Sequence, residues 1–167
     1  MLDGPADSNC PGRLAPGPRT GPGPRETPRY NGLVMRVHRL DSAGRDAVAA
    51  ILSEELAARP EVCFAYLHGS FLAAEAFRDV DVAVWTTPDA RSADLELSAR
   101  LSLRTGLPVD VRRINDAPLS FLFHALQGRL LHVRDELALA DVIERTARRY
   151  HDLAPLLRRA TREAFAA

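Results

Sequence analysis

The chain has 167 residues, 46% hydrophobic and 26% charged, which is the size and balance of one globular domain with a modest core and excludes a multidomain assembly. Its 22 basic residues, all Arg, are matched by 22 Asp and Glu, so it lacks the global positive field that gathers nucleic acid without sequence preference, and no direct nucleic-acid binding is expected. Cys10, in a Pro/Gly-rich tail, and Cys63, in an apolar run, make neither a disulfide framework nor a zinc-ligand pattern.

No apolar run approaches the ~20 residues that cross a bilayer, and the N-terminus lacks the apolar centre of a secretory signal, so a soluble cytoplasmic protein with no membrane partner is expected. Seven of the twelve prolines and five of the ten glycines fall in the first 28 residues, with hardly a large apolar side chain among them. Residues 1–34 therefore read as a disordered extension. Arg13, Arg19, Arg25 and Arg29 are too scattered, and too well offset by Asp3, Asp7 and Glu26, to make it a nucleic-acid tail. Met35, where order is expected to begin, is an alternative start of the reading frame.

From Asp41 or Ser42, either one an N-cap, a helix carries Val48, Ile51, Leu52 and Leu56 on one face and must end before Pro60. Val62 to Leu67 reads as a strand stopped by Gly69, and Val80 to Trp85 as a second strand paired with it. Ser92 to about Arg104 is helical, and Val109 to Ile114 forms a third strand. Asn115 or Asp116 caps a helix with Pro118 in its first turn that stops at Gly128, after which Leu130 to Val133 is extended. Asp135 to Ala166 is a long helix that Pro155 kinks or divides. The fold class is α/β (α+β), a small mixed sheet flanked by helices with a helical C-terminal tail.

The chemistry concentrates in FAYLHGSFLAAEAFRDVDVAVW. Alternation along a strand turns Asp79 and Asp81 to one side while Val80, Val82 and Val84 enter the core, which sets two carboxylates ~7 Å apart. Like charges on a rigid element favour a shared cation, and hard oxygen ligands suit Mg²⁺ or Mn²⁺. Gly69 allows close backbone approach, while Ser70 offers a hydroxyl and a main-chain N–H suited to phosphate. Asp110, between Val109 and Val111, leaves the core on the third strand and can reach the same cluster. His68 reads equally as a phosphate contact or a half-buried structural histidine, Arg78 as a triphosphate contact or a solvated side chain, and Trp85 and Phe64 as core.

Gly69-Ser70, a spacer, Asp79-Val80-Asp81 and a later strand with Asp110 together resemble the polymerase-beta-type nucleotidyltransferase superfamily, and the short length resembles its minimal nucleotidyltransferases, the MNT proteins. The likeness runs from about Leu52 to Leu131, and the segment Arg148-Arg149-Tyr150-His151-Asp152 is similar to the C-terminal helix of MNT antitoxins. Two departures stand out: the eight-residue spacer from Phe71 to Arg78 is shorter than the family pattern, and Arg78 replaces the Ser that often precedes the first acid.

The resemblance implies a nucleotidyltransferase domain over 35–134, with 135–167 a helical tail packed on the domain or on a partner. It implies ATP as substrate, Gly69 and Ser70 as nucleotide-binding residues, and Asp79, Asp81 and Asp110 as catalytic residues and ligands of two Mg²⁺ ions. Asp110 could equally serve as general base. The expected activity is transfer of AMP to a hydroxyl, a tyrosine of a HEPN-family toxin, by an antitoxin. An aminoglycoside-type small-molecule transferase and a non-catalytic binding antitoxin are the alternatives.

Overall fold

The computed structural model describes residues 29–30, 33–34, 36–90 and 94–164. The expected extension therefore lies outside the described residues, except that Arg29–Tyr30 (β1) and Leu33–Val34 (β2) pair as an antiparallel ribbon. Met35, Ser92 and Cys10 also lie outside them.

Helix α1 spans Ser42–Ala57. Of the two candidate caps it uses Asp41, whose carboxylate accepts the Gly44 N–H at 2.8 Å. Val48, Leu52 and Leu56 are buried, while Ile51 is only half-buried at the margin of the stripe. Four strands, β3 (Val62–His68), β4 (Val80–Thr86), β5 (Val109–Arg113) and β6 (Arg129–Val133), form one mixed sheet in the order β5-β4-β3-β6. β3 runs antiparallel to both β4 and β6. β4 and β5 are parallel, which demands a crossover, and α3 (Asp94–Thr105) supplies it.

Both faces of the sheet are covered, so its central strands read as near-continuous apolar runs. On one face Ala65, Leu67, Val80, Val82 and Val84 pack against Leu52 and Leu56 of α1 and Leu97 and Leu101 of α3. On the other, Phe64, Tyr66 and Ala83 meet α4 (Leu119–Ala125) and α5 (Glu136–Ala164). Between α1 and α3, Glu55 takes Arg100 at 2.7 Å and Arg104 at 2.9 Å. The hydrogen bond from Arg100 is the leading reason its carboxyl is held below the ordinary range.

One expectation needs correction. Neither Asn115 nor Asp116 caps α4, which starts after Pro118. Asp116 instead pairs with Arg113 at 2.7 Å, and the Asn115 amide docks on the end of β4, accepting the Thr86 N–H at 3.1 Å and donating to the Thr86 carbonyl at 2.8 Å. The long C-terminal helix is present as expected: α5 starts under an Asp135 cap and runs through Pro155 as one element. Among the described residues no helix is long and apolar enough to cross a membrane.

Thr86 is only 3% exposed, so the backbone N–H that Asn115 serves has no water to replace it. Asn115→Ala is expected to lower stability by about 1–3 kcal/mol with an unchanged denaturant slope, measured by urea unfolding.

Candidate active site

The site begins where β3 ends. Gly69 has φ +78°, and a Cβ on it would lie 2.1 Å from the Asp81 Oδ2, so both the backbone twist and the neighbouring carboxylate demand glycine. Ser70 opens the short helix α2 (Ser70–Ala73), and both residues are exposed.

Strand register does the rest. His68 lies opposite Asp81 across the antiparallel β3–β4 pair, and Asp81 lies opposite Asp110 across the parallel β4–β5 pair. Three side chains thus form a row across neighbouring strands, on the face away from Val80, Val82, Val109 and Val111. Arg112 stands two residues beyond Asp110 on the same face, and Phe121 of α4 closes the row. Together His68, Asp81, Asp110, Arg112 and Phe121 line a cavity of about 80 Å³. The Arg112 guanidinium lies 5.0 Å from the Phe121 ring centre, and the His68 ring meets Phe121 edge-on at 5.5 Å.

Asp79 is exposed and immediately precedes β4, which begins at Val80, so of the two acids only Asp81 is held within the sheet. Asp79 still acts on Asp81. The Asp81 carboxyl is pushed above its ordinary value of 3.8, first by burial and next by the Asp79 charge, with Asp110 adding to the effect and His68 and Arg112 opposing it. Burial lowers the His68 imidazole more than the nearby carboxylates raise it, which favours the neutral ring.

Among the described residues none of the Asp79, Asp81 and Asp110 side chains makes an ion pair or a hydrogen bond. Elsewhere Asp46, Glu55, Asp116, Asp141 and Glu144 all take arginine partners. Unspent carboxylate oxygens, one of them raised by burial and like charge, are the hard donor set that a divalent cation satisfies. The donor chemistry therefore fits such an ion, although among the described residues no group of three or more His, Cys, Asp or Glu side chains is arranged to hold a metal ion.

The short connection from Ser70 to Asp79 is moored from α1. Arg45 donates to the carbonyls of Phe71, Ala74 (2.7 Å) and Glu75 (3.2 Å), and its guanidinium lies 5.3 Å from the ring centres of both Phe71 and Phe77. Sequence reasoning missed this clamp, since 26 to 30 residues separate the partners. Arg112 and Phe121 were missed as well. For Arg112 the signal was available in the period-2 relation to Asp110, whereas Phe121 joins the site only through the packing of α4.

A family model described as Polymerase beta, Nucleotidyltransferase matches residues 51–137. No curated protein matches the chain. Among solved structures, the fold is similar to a chain of the complex of tri-AMPylated Shewanella oneidensis HEPN toxin with MNT antitoxin, at 19% identity and TM-score 0.50 over 74% of this chain and 93% of that one. It is also similar to a chain of the MntA–HepT toxin–antitoxin (18% identity, TM-score 0.50, 75% of this chain and 96% of that one). A third likeness is to a chain of a toxin–antitoxin with AMP-PNP (20% identity, TM-score 0.52, 73% and 94%). At these identities the likeness is one of fold.

Because the folded Asp81 carboxyl is raised, its ionisation opposes folding at every pH above 3.8. Asp81→Asn is therefore expected to stabilise the metal-free protein in EDTA near pH 7. The advantage should shrink as pH falls toward about 4, where the wild-type carboxyl gains its proton; urea unfolding at both pH values measures it.

Proposed function

Because this chain belongs to the polymerase beta nucleotidyltransferase family, whose model spans residues 51–137, we propose that it transfers AMP from ATP to a hydroxyl of a partner protein, a tyrosine of a HEPN-type toxin, and acts as the antitoxin. The observation that carries the reading is the row of unpaired carboxylates beside the Gly69-Ser70 turn. The complexes whose folds it shares, one with a tri-AMPylated HEPN toxin and one with AMP-PNP, support the choice of partner and nucleotide.

Asp79, Asp81 and Asp110 would hold Mg²⁺, two ions in the family's pattern. When bound, the metal neutralises the triphosphate and lowers the pKa of the attacking hydroxyl. The exposed Gly69-Ser70 turn gives backbone N–H groups and a hydroxyl to the phosphates. The acceptor oxygen bonds to the α-phosphorus, the bond from that phosphorus to the bridging oxygen breaks, and pyrophosphate leaves with the electron pair. Asp110, exposed at the sheet edge, would take the acceptor's proton or share in holding the metal. Neutral His68 adds no positive charge that would compete with the metal for these carboxylates. The product exchanges a phenol for a bulky phosphodiester anion, which blocks a ribonuclease site by size and repulsion.

The test is incubation of the purified protein with Mg²⁺, α-labelled ATP and the HEPN-type product of an adjacent gene. Label is expected on the partner, with the rate lowered at least about a hundredfold by Asp79→Ala/Asp81→Ala. A stable complex that silences the partner without labelling it would replace this reading with a binding antitoxin.

A further inference from the structure

The carboxyl-terminal end of β4 opens on a second cavity, of about 170 Å³, between that strand, α4 and α5. Part of its wall is apolar, with Leu122 of α4 and Val142 of α5. The polar side chains that remain unpartnered are, with one exception, donors only.

Arg149 makes no ion pair or hydrogen bond among the described residues. Its neighbours Arg145 and Arg148 each hold an acid one turn earlier, Asp141 at 2.9 Å and Glu144 at 2.6 Å. One turn before Arg149 stands Arg145, already paired with Asp141, so two guanidinium groups line the cavity and that of Arg149 is the one without an acid. Thr146, between them, is 4% exposed, yet its hydroxyl has no partner among the described residues. Trp85 also lines the cavity, and its indole N–H, a donor only, is unpartnered among the described residues. The Asn115 side-chain oxygen is already spent on the Thr86 N–H, and no carboxylate is among the lining side chains.

Arg149 is exposed, and neither the Thr146 hydroxyl nor the Trp85 indole N–H is among the buried polar atoms left without a partner, so water can reach all three donors; an anion that displaces that water satisfies them together and is drawn by the unpaired guanidinium. We propose that this cavity binds a small oxyanion, a carboxylate or phosphate monoester with an apolar body, its head group on Arg149 and Thr146 and its body against Trp85 and Leu122. The volume lies below the ~300–1,000 Å³ of ordinary small-molecule sites, which suits one head group and one ring and excludes a nucleotide. The site is separate from the carboxylate row: Trp85 is four residues beyond Asp81 on β4, about 13 Å away. A free small molecule and an acidic side chain of a docked protein present the same chemistry.

Trp85 is the sole tryptophan, so its fluorescence reports the cavity directly. Phenyl phosphate and benzoate are titrated into the full chain at constant ionic strength, with chloride as control. Saturable change is expected with at least one probe. Arg149→Gln should weaken binding at least about tenfold, and Thr146→Val, which keeps the shape and removes the hydroxyl, should weaken it by less. Arg148→Gln, whose side chain pairs outside the cavity, should leave binding unchanged, and circular-dichroism melts establish that each variant is folded. Probes that dissociate the complex with the HEPN-type partner identify the oxyanion as the partner's; probes that bind equally with and without the partner identify a free molecule. Absence of saturation, a response that chloride reproduces, or a response that Arg149→Gln retains would overturn the assignment.

Discussion

Parallel pairing of β4 with β5 sets Asp81 directly opposite Asp110, and much of this half of the molecule is organised around holding that pair in place. Directly opposed Cβ atoms on paired strands lie about 5 Å apart, and like charges there repel. Asp110, exposed on the edge strand β5, keeps its water, whereas Asp81, half-buried on β4, could escape the repulsion only if its strand moved. β4 cannot yield in that way, because Val80, Val82 and Val84 are locked against α1 and α3 while Ala83 is buried against the opposite layer. The apolar core thus supplies the rigidity that keeps an electrostatically unfavourable arrangement intact, which is how a fold holds charge ready for a ligand.

The same logic explains the Gly69 turn. A backbone with positive φ pressed against a carboxylate would relax if its flanks could move. One flank is β3, five of whose seven residues are buried, and the other is fixed by Arg45, which gathers the carbonyls of Phe71, Ala74 and Glu75 under two aromatic rings. A connection of eight residues leaves little slack, and a guanidinium with donors on three nitrogens is well suited to bind several carbonyls at once. The short spacer is therefore compatible with a well-defined turn, provided that the helix before it carries the anchor.

Most of the fold was legible in the sequence because its signals are local. The apolar stripe of α1, the apolar run of β3, the alternating valines of β4, and the break at Gly69 each stand within a few residues of what they determine. Gly69, Ser70, Asp81 and Asp110 could be read as neighbours because period-2 alternation fixes which way a strand residue faces. The misreading arises where a side chain has a distant alternative. Asn115 looks like a helix cap, but Thr86 at the end of β4 offers its amide both a donor and an acceptor, two bonds where a cap forms one. Arg45, Phe121 and the cation-lined cavity are properties of packing between elements, and no window of sequence contains them.

Helix α4 ties these parts together. It has only seven residues, yet Phe121 borders the carboxylate row, Leu122 lines the cation-rich cavity and Phe123 stacks on Tyr150 of α5 with ring centres 3.6 Å apart. Successive helical residues point about 100° apart, so one short rod touches the acidic end of β4, the cationic end and the C-terminal helix at once. A close-packed element of this size moves as a unit. Any shift of α5 that displaces Phe123 must therefore be felt at Phe121, beside His68 and Arg112, and an anion that fixes α5 against β4 also fixes the wall of the acidic cavity.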